Sequence, residues 1–192
     1  TREGFKGAVE AVDGIKVAKR LEQDGAQCLV LSGGFVSRAP MYVMRGAMPI
    51  SVLTGYMPWR LWWLKLGVNL FGKIMVKDEP FKEAFFFDDS IRFRRELKMP
   101  LAFVGGVNSM ATINRVLDAG FEFVEMARPL VYDTDFVNKL RDGVCTESGW
   151  RHAHYCGARL WNYDMQCHEN CKLSTRMKRE VERNIRKYYD KK

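Results

Sequence analysis

The chain has 192 residues, 47% of them hydrophobic and 28% charged, which excludes a disordered chain and allows one domain with a real core. That length falls short of the about 250 residues that a complete (βα)8 barrel typically takes. The net charge is +8, and residues 172–192 carry +6 of it, so the whole protein is not a nucleic-acid-binding surface, whereas its tail remains a candidate for one.

Residues 1–7 read as a polar, Gly-containing loop. Thr1 stands first, which leaves open a processed product or a piece of a longer enzyme, and no secretory signal is visible. Asp13 can cap a helix running to Asp24, with Ile15, Val17, Ala18 and Leu21 at its apolar positions. Gly25 supplies a left-handed stop. Gln27 to Leu31 is a short apolar strand of the kind buried on both faces in parallel sheets, and it ends at Ser32-Gly33-Gly34.

Residues 35–80 form a long insertion rich in Met, Trp and Gly, with Pro40, Pro49, Pro58 and Pro80. Within it, Trp59 to Ile74 is apolar and basic, too short and too charged to span a bilayer. It suits a membrane surface, a cover over a barrel mouth, or a protein partner. Asp88 or Asp89 caps a helix through Leu97. A strand follows at 101–104, then a helix from Ser109 to Ala119 stopped by Gly120, then a strand at 122–126. Asp133 to Phe136 opens a further short helix. Residues 144–171 are rich in Cys and His. Ser174 to Tyr189 reads as a basic helix whose stripe of Met177, Val181, Ile185 and Tyr188 wants a partner surface, although a solvated face is an equal alternative.

The order of elements predicts an α/β chain: the C-terminal half of a (βα)8 barrel over residues 1–143, about four βα units, interrupted by the insertion. A Cys/His segment and a basic helix at 172–192 complete it. Half a barrel leaves two strand edges open, so a protein partner is expected to cover them.

Cys28, Cys145, Cys156, Cys167 and Cys171 are an odd set with four clustered late, unlike a secreted disulfide framework; a reducing intracellular compartment, cytoplasm or mitochondrial matrix, is expected. Zinc on Cys156, Cys167, Cys171 and one of His152, His154 or His168 matches no standard spacing, so no metal ligand is assigned. The histidines lie away from any Ser or carboxylate pairing, and no catalytic residue is assigned either.

The last strand–helix–strand unit is the place where such barrels hold a phosphate. Gly105 and Gly106 let a ligand approach the backbone, and the next helix begins close by with its partial positive charge. Arg128, at the end of the following strand, adds a permanent planar charge. The competing interpretation is two tight turns and an ordinary surface arginine.

The stretches GFKGAVEAVDGIKVAKRLEQDGAQCLVLSGGF, PMYVMRG, PFKEAFFFDDSIRFRRELKMPLAFVGGVNS and GFEFVEMARPLVYDTDFVNKL cover nearly all of residues 3–140. They resemble the old yellow enzyme-like NADH:flavin oxidoreductases, including the bacterial-type 2,4-dienoyl-CoA reductases, in the C-terminal half of that family's barrel. The resemblance implies FMN, with its phosphate on Gly105, Gly106 and Arg128, the Ala127 backbone nearby, and Ser32, Gly33 and Gly34 on the flavin side of the mouth. The barrel's first four strands, with the family's catalytic acid or substrate-binding pair, have no counterpart here. Family members close to this sequence carry an iron–sulfur cluster on a segment similar to SGCxHCNYCIARMYxxEMxCH. This chain reads SGWRHAHYCGARLWNYDMQCH, with Trp150 and Ala153 where the first two cysteines should stand, so loss of the cluster is expected.

These features imply a partial FMN-dependent oxidoreductase that does not catalyse by itself and sits in a larger assembly, an accessory subunit of a mitochondrial complex being one form of it. The alternative is the phosphate-binding half of a split or fragmentary ene/enoyl reductase. Contact with a nucleic acid or a membrane surface through the basic tail or the Trp-rich segment is a further expectation.

Overall fold

The computed structural model describes residues 10–35, 39–152, 154–159 and 165–188. Helix α1 (Ala11–Gln23) starts one turn earlier than an Asp13 cap would place it: Glu10 is the residue before it, and Asp13 sits in the first turn, bonded to Lys16 at 3.1 Å. Gly25 at φ +98° ends it as predicted. Strand β1 is shorter than expected, Leu29–Leu31. The segment called an insertion is helical: α2 (Pro40–Met44), α3 (Ile50–Gly55), a 3-10 turn at Trp59–Leu61 and α4 (Trp62–Met75). Helix α5 (Phe87–Glu96) keeps Asp88 and Asp89 in its first turn, where carboxylates suit the helix dipole, but Phe86 is the residue before it.

Strand β2 (Leu101–Val104), helix α6 (Met110–Asp118) and strand β3 (Phe123–Glu125) follow. Ser109 caps α6 by accepting from the Thr112 amide at 3.2 Å. A short α7 (Arg128–Tyr132), foreseen by no sequence signal, begins directly after β3 with Pro129 in its first turn. Then come α8 (Phe136–Arg141), α9 (Tyr155–Arg159), a 3-10 turn at His168–Asn170 and α10 (Thr175–Tyr188). Among the described residues no helix is long and apolar enough to cross a membrane.

The three strands are parallel in the order β1-β2-β3, with Val30 opposite Ala102 and Ala102 opposite Phe123. About four βα units were expected, and three strands are present among the described residues; residues 1–9 lie outside them. Alternation splits the side chains between two faces. Leu31, Leu101 and Phe103 point into a core shared with Ala11 and Ala18 of α1, Phe93 of α5 and Val116 of α6. The opposite face carries Val30, 45% exposed, and Phe123, 55% exposed. Burial of β1 on both faces is therefore corrected: helices cover one face, and on the other Val30 is 45% exposed beside the buried Ala102. A sequential parallel order with helices on one side fits a barrel wall and fits any singly wound open sheet.

A second core joins distant parts of the chain. Val52 of α3, Tyr155 and Ala158 of α9, and Val181 and Ile185 of α10 are buried together, with Met177 against them. The partner surface sought by the α10 stripe is thus α3 and α9 of the same chain. The side chain of Tyr188 lies outside the described residues.

Candidate functional site

The ends of β1, β2 and β3 meet α2 and the segment 150–157 around a cavity of about 280 Å3. Ser32, Gly105, Gly106, Ala127 and Arg128 all line it, so the structure brings together five of the seven residues chosen from the sequence. Gly33 and Gly34 do not line it. Gly34 has φ +87°, and a Cβ there would lie 2.1 Å from a methyl of Val43, so this glycine lets α2 close against the end of β1.

The glycine pair does two jobs. Gly105 and Gly106 have φ values of +146° and +76°. A Cβ on Gly106 would stand 2.7 Å from the Phe85 ring. The turn before α5 folds back onto the pair, the Phe85 amide donating to the Gly105 carbonyl at 3.1 Å and the Ala84 amide to that of Gly106 at 3.3 Å. These glycines are thus demanded by packing, as the competing interpretation held, while they also border the cavity.

Arg128 is more committed than a waiting phosphate ligand. Its guanidinium donates to the Met44 carbonyl, lies 3.3 Å from His154 Nδ1 and sits 4.6 Å from the Trp150 ring centre. It ties the end of α2 to the start of α7 and to the Cys/His segment. The start of α6 likewise already has an anion beside it. Glu83 Oε2 accepts from Ser109 Oγ at 2.9 Å and from Thr112 Oγ1 at 2.5 Å.

The Cys/His segment forms one wall. Trp150, standing where a cluster cysteine was expected, is buried against His152, with ring centres 4.1 Å apart, and Phe81 lies 3.7 Å from the same imidazole. Burial and then the Arg128 charge push the His152 pKa down to about 3. The same causes, with His152 added, hold His154 well below the ordinary histidine value. Burial first, partly opposed by the Glu169 charge, also lowers His168. Cys156 and Cys167 are buried, and desolvation raises both thiols, so neither is an activated nucleophile. No group of three or more Cys, His, Asp or Glu among the described residues is placed to hold a metal ion. Ala153 falls outside those residues.

Sequence inspection missed Met44, Phe85, Phe86 and His154 as wall residues. A signal existed for three of them: Met44 lies in PMYVMRG, and Phe85 and Phe86 lie in PFKEAFFFDDS, both among the stretches that carry the family resemblance. The Trp-rich segment does not cover this mouth, because α2 does and no α4 residue lines the cavity.

Chemically, the cavity offers close backbone approach at two glycines, one permanent cation, one carboxylate at Glu125, and apolar walls from Val104, Val107 and Met126. That set suits the phosphate end of a larger ligand. Burial and the Arg128 charge keep its histidine, His154, well below the ordinary imidazole range.

In comparisons with known proteins, the chain is similar to the 4,4'-dithiodibutanoate disulfide reductase of Rhodococcus erythropolis, 36% identical over 137 residues. The match covers 68% of this chain and 33% of that protein, so the chain spans about a third of the length of this curated relative. No family model matches, and no solved structure matches. By its name that relative is a reductase of an organic disulfide, an oxidoreductase.

Proposed function

We propose that this chain is the phosphate-holding part of an FMN-dependent reductase and does not turn over by itself. The observation that carries this is the convergence of Ser32, Gly105, Gly106, Ala127 and Arg128 on one cavity at the ends of three parallel strands. Glycines allow an anion to reach main-chain amides, and a guanidinium recognises phosphate with a planar fork. The similarity to a disulfide reductase supports redox chemistry as the setting. A bound flavin would supply hydride transfer. The residues here would grip its phosphate and orient it; the apolar walls would exclude water from the tail of the ligand. A small organic disulfide, as in the relative's name, is the acceptor to test first, with activated alkenes second.

The partly open face of the sheet, where Val30 and Phe123 flank the buried Ala102, supports the incomplete character of this unit. Val30 and Phe123 are exposed where the interior of a closed barrel would bury them. The remaining strands would come from another chain or from further sequence of the same polypeptide.

The test is a pair of fluorescence titrations, FMN and riboflavin, on the unmodified chain. They differ only in the phosphate, and one charge-assisted contact is worth about tenfold in affinity. FMN should bind at least that much more tightly than riboflavin. Equal binding of the two, or none, overturns the phosphate grip. Arg128→Lys keeps the charge but loses the fork, so it should erase most of the FMN preference with less disturbance than Arg128→Ala, which would also free Met44 and His154.

A further inference from the structure

The α4 helix presents an apolar face that no described residue covers. Trp59 is 85% exposed and Ile74 81%, and between them Trp62, Trp63, Leu66, Leu70 and Phe71 are exposed as well. Contiguous exposed apolar ridges of this kind mark an interaction surface. With 14 residues α4 is about 21 Å long, too short to cross a hydrocarbon core of roughly 30 Å.

Charge says what the ridge faces. From residue 25 to residue 77 the sequence contains no Asp or Glu, while Arg60, Lys65, Lys73 and Lys77 punctuate and flank the ridge. Beside it runs a groove of about 600 Å3 between α3, α4 and α10. Lys73, Arg176, Arg179 and Arg183 line that groove against a single carboxylate, Glu180. Glu180 already accepts from the Ser51 amide at 2.7 Å and lies 3.9 Å from Arg183. Arg176 is fastened to Asn69 of α4 at 2.8 Å, which fixes α10 and its cations alongside the ridge. Leu70 belongs to both features: it is exposed on the ridge and lines the groove.

An apolar ridge with three tryptophans near one end, continuous with a cationic groove, matches the two layers of an anionic bilayer surface. Acyl chains meet the ridge, and headgroup phosphates meet the groove. We propose that α4 and α10 together form a docking surface for anionic phospholipid, on which α4 lies in the plane of the interface. This surface is separate from the flavin-phosphate cavity, whose lining includes no residue of α4 or α10.

The test is co-sedimentation of the full chain with vesicles of phosphatidylcholine alone or with 30% (about one lipid in three) phosphatidylglycerol. Binding to the anionic vesicles should exceed binding to the neutral ones by about fivefold for each groove cation engaged, and should weaken as salt rises. The tryptophan emission should shift to shorter wavelength on binding. Trp62→Ser/Trp63→Ser alters exposed side chains only; it should keep the circular dichroism spectrum and lose most vesicle binding. Arg179→Gln/Arg183→Gln should keep weak binding and lose the preference for anionic lipid.

Four results would overturn the proposal. One is no sedimentation with either vesicle. Another is binding that the tryptophan double variant retains in full. A third is a dimer in sedimentation velocity that this variant converts to monomer without any vesicle binding, which would assign the ridge to a second copy of the chain. Abolition of vesicle binding by millimolar inorganic phosphate at constant ionic strength would likewise count against it, because the groove would then serve a free anion.

Discussion

The two cores of this protein were assembled by opposite routes. The first lies between the sheet and α1, α5 and α6, and its members come from successive strand–helix units packed in chain order. The second gathers Val52, Tyr155 and Ile185, residues separated by most of the chain, around α3. The first is built from local periodicity and short connections. The second exists only because three helices, each with a narrow apolar stripe, find one another across long sequence distances. The strands belong to the first and the cationic groove to the second, while the cavity lies between them, with α9 of the second core supplying Cys156 and Gly157 to its wall.

The strongest way to break this comparison is to empty each core in turn. Phe103 is fully buried in the first, and Phe103→Ala should cost about 3–5 kcal/mol, a large share of a typical domain's stability. Ile185→Ala in the second should cost about 2–5 kcal/mol. If the cores are separable, thermal unfolding of the Ile185 variant will show α10 leaving before the sheet melts. A single coincident transition by circular dichroism and tryptophan fluorescence would show that they are one cooperative unit.

A pH titration sharpens the comparison further, because His154 lines the cavity and His152 packs against Trp150 of its wall. His152 has a folded-state pKa of about 3, against an ordinary value of 6.5. The unfolded chain therefore binds a proton that the folded chain refuses between those limits. Stability present above pH 6.5 should fall as the pH drops through this window and level off near pH 3. Glu22, Glu96 and Asp133 have lowered values and add their own loss only below the ordinary carboxylate range, near 4.5 and under. The slope of denaturation midpoint between pH 6.5 and 5 thus reports the histidines, and His152→Phe should make it shallower while His154 and His168 keep the remainder.

The smallest expected effect is at the start of α6. Ser109→Ala removes the cap to Thr112 and one of the two hydroxyl donors to Glu83, and should cost about 1 kcal/mol. It should also leave Glu83 less firmly held. FMN titrated against this variant will show whether the carboxylate competes with a phosphate for the same end of the helix.

How much of this was legible in the sequence follows from the same contrast. Leu101 to Val104, the helix beginning at Ser109 and the Gly120 stop were readable because a strand, a helix start and a left-handed residue each leave a mark within a few positions. Gly105, Gly106 and Arg128 were found through their place at consecutive strand ends. The exposure of Val30 was not readable, since an apolar triplet looks the same whether one face or two are covered. Nor was the engagement of Arg128 with Met44 and His154, which lie 84 and 26 residues away. The Met177–Ile185 stripe announced that something must cover it; only the folded chain shows that the cover is α3 and α9.

The partly open sheet carries a consequence for the life of the protein in a cell. Among the described residues β1 and β3 each have a strand neighbour on one side only, and the exposed Val30 and Phe123 stand on one face between those edges. Open edges beside exposed apolar side chains are what chaperones hold and proteases clear. Under the proposed function, the amount of this protein would follow the supply of the strands that complete the sheet more than its own synthesis. Withdrawing that supply should shorten its half-life long before any change in its own sequence does.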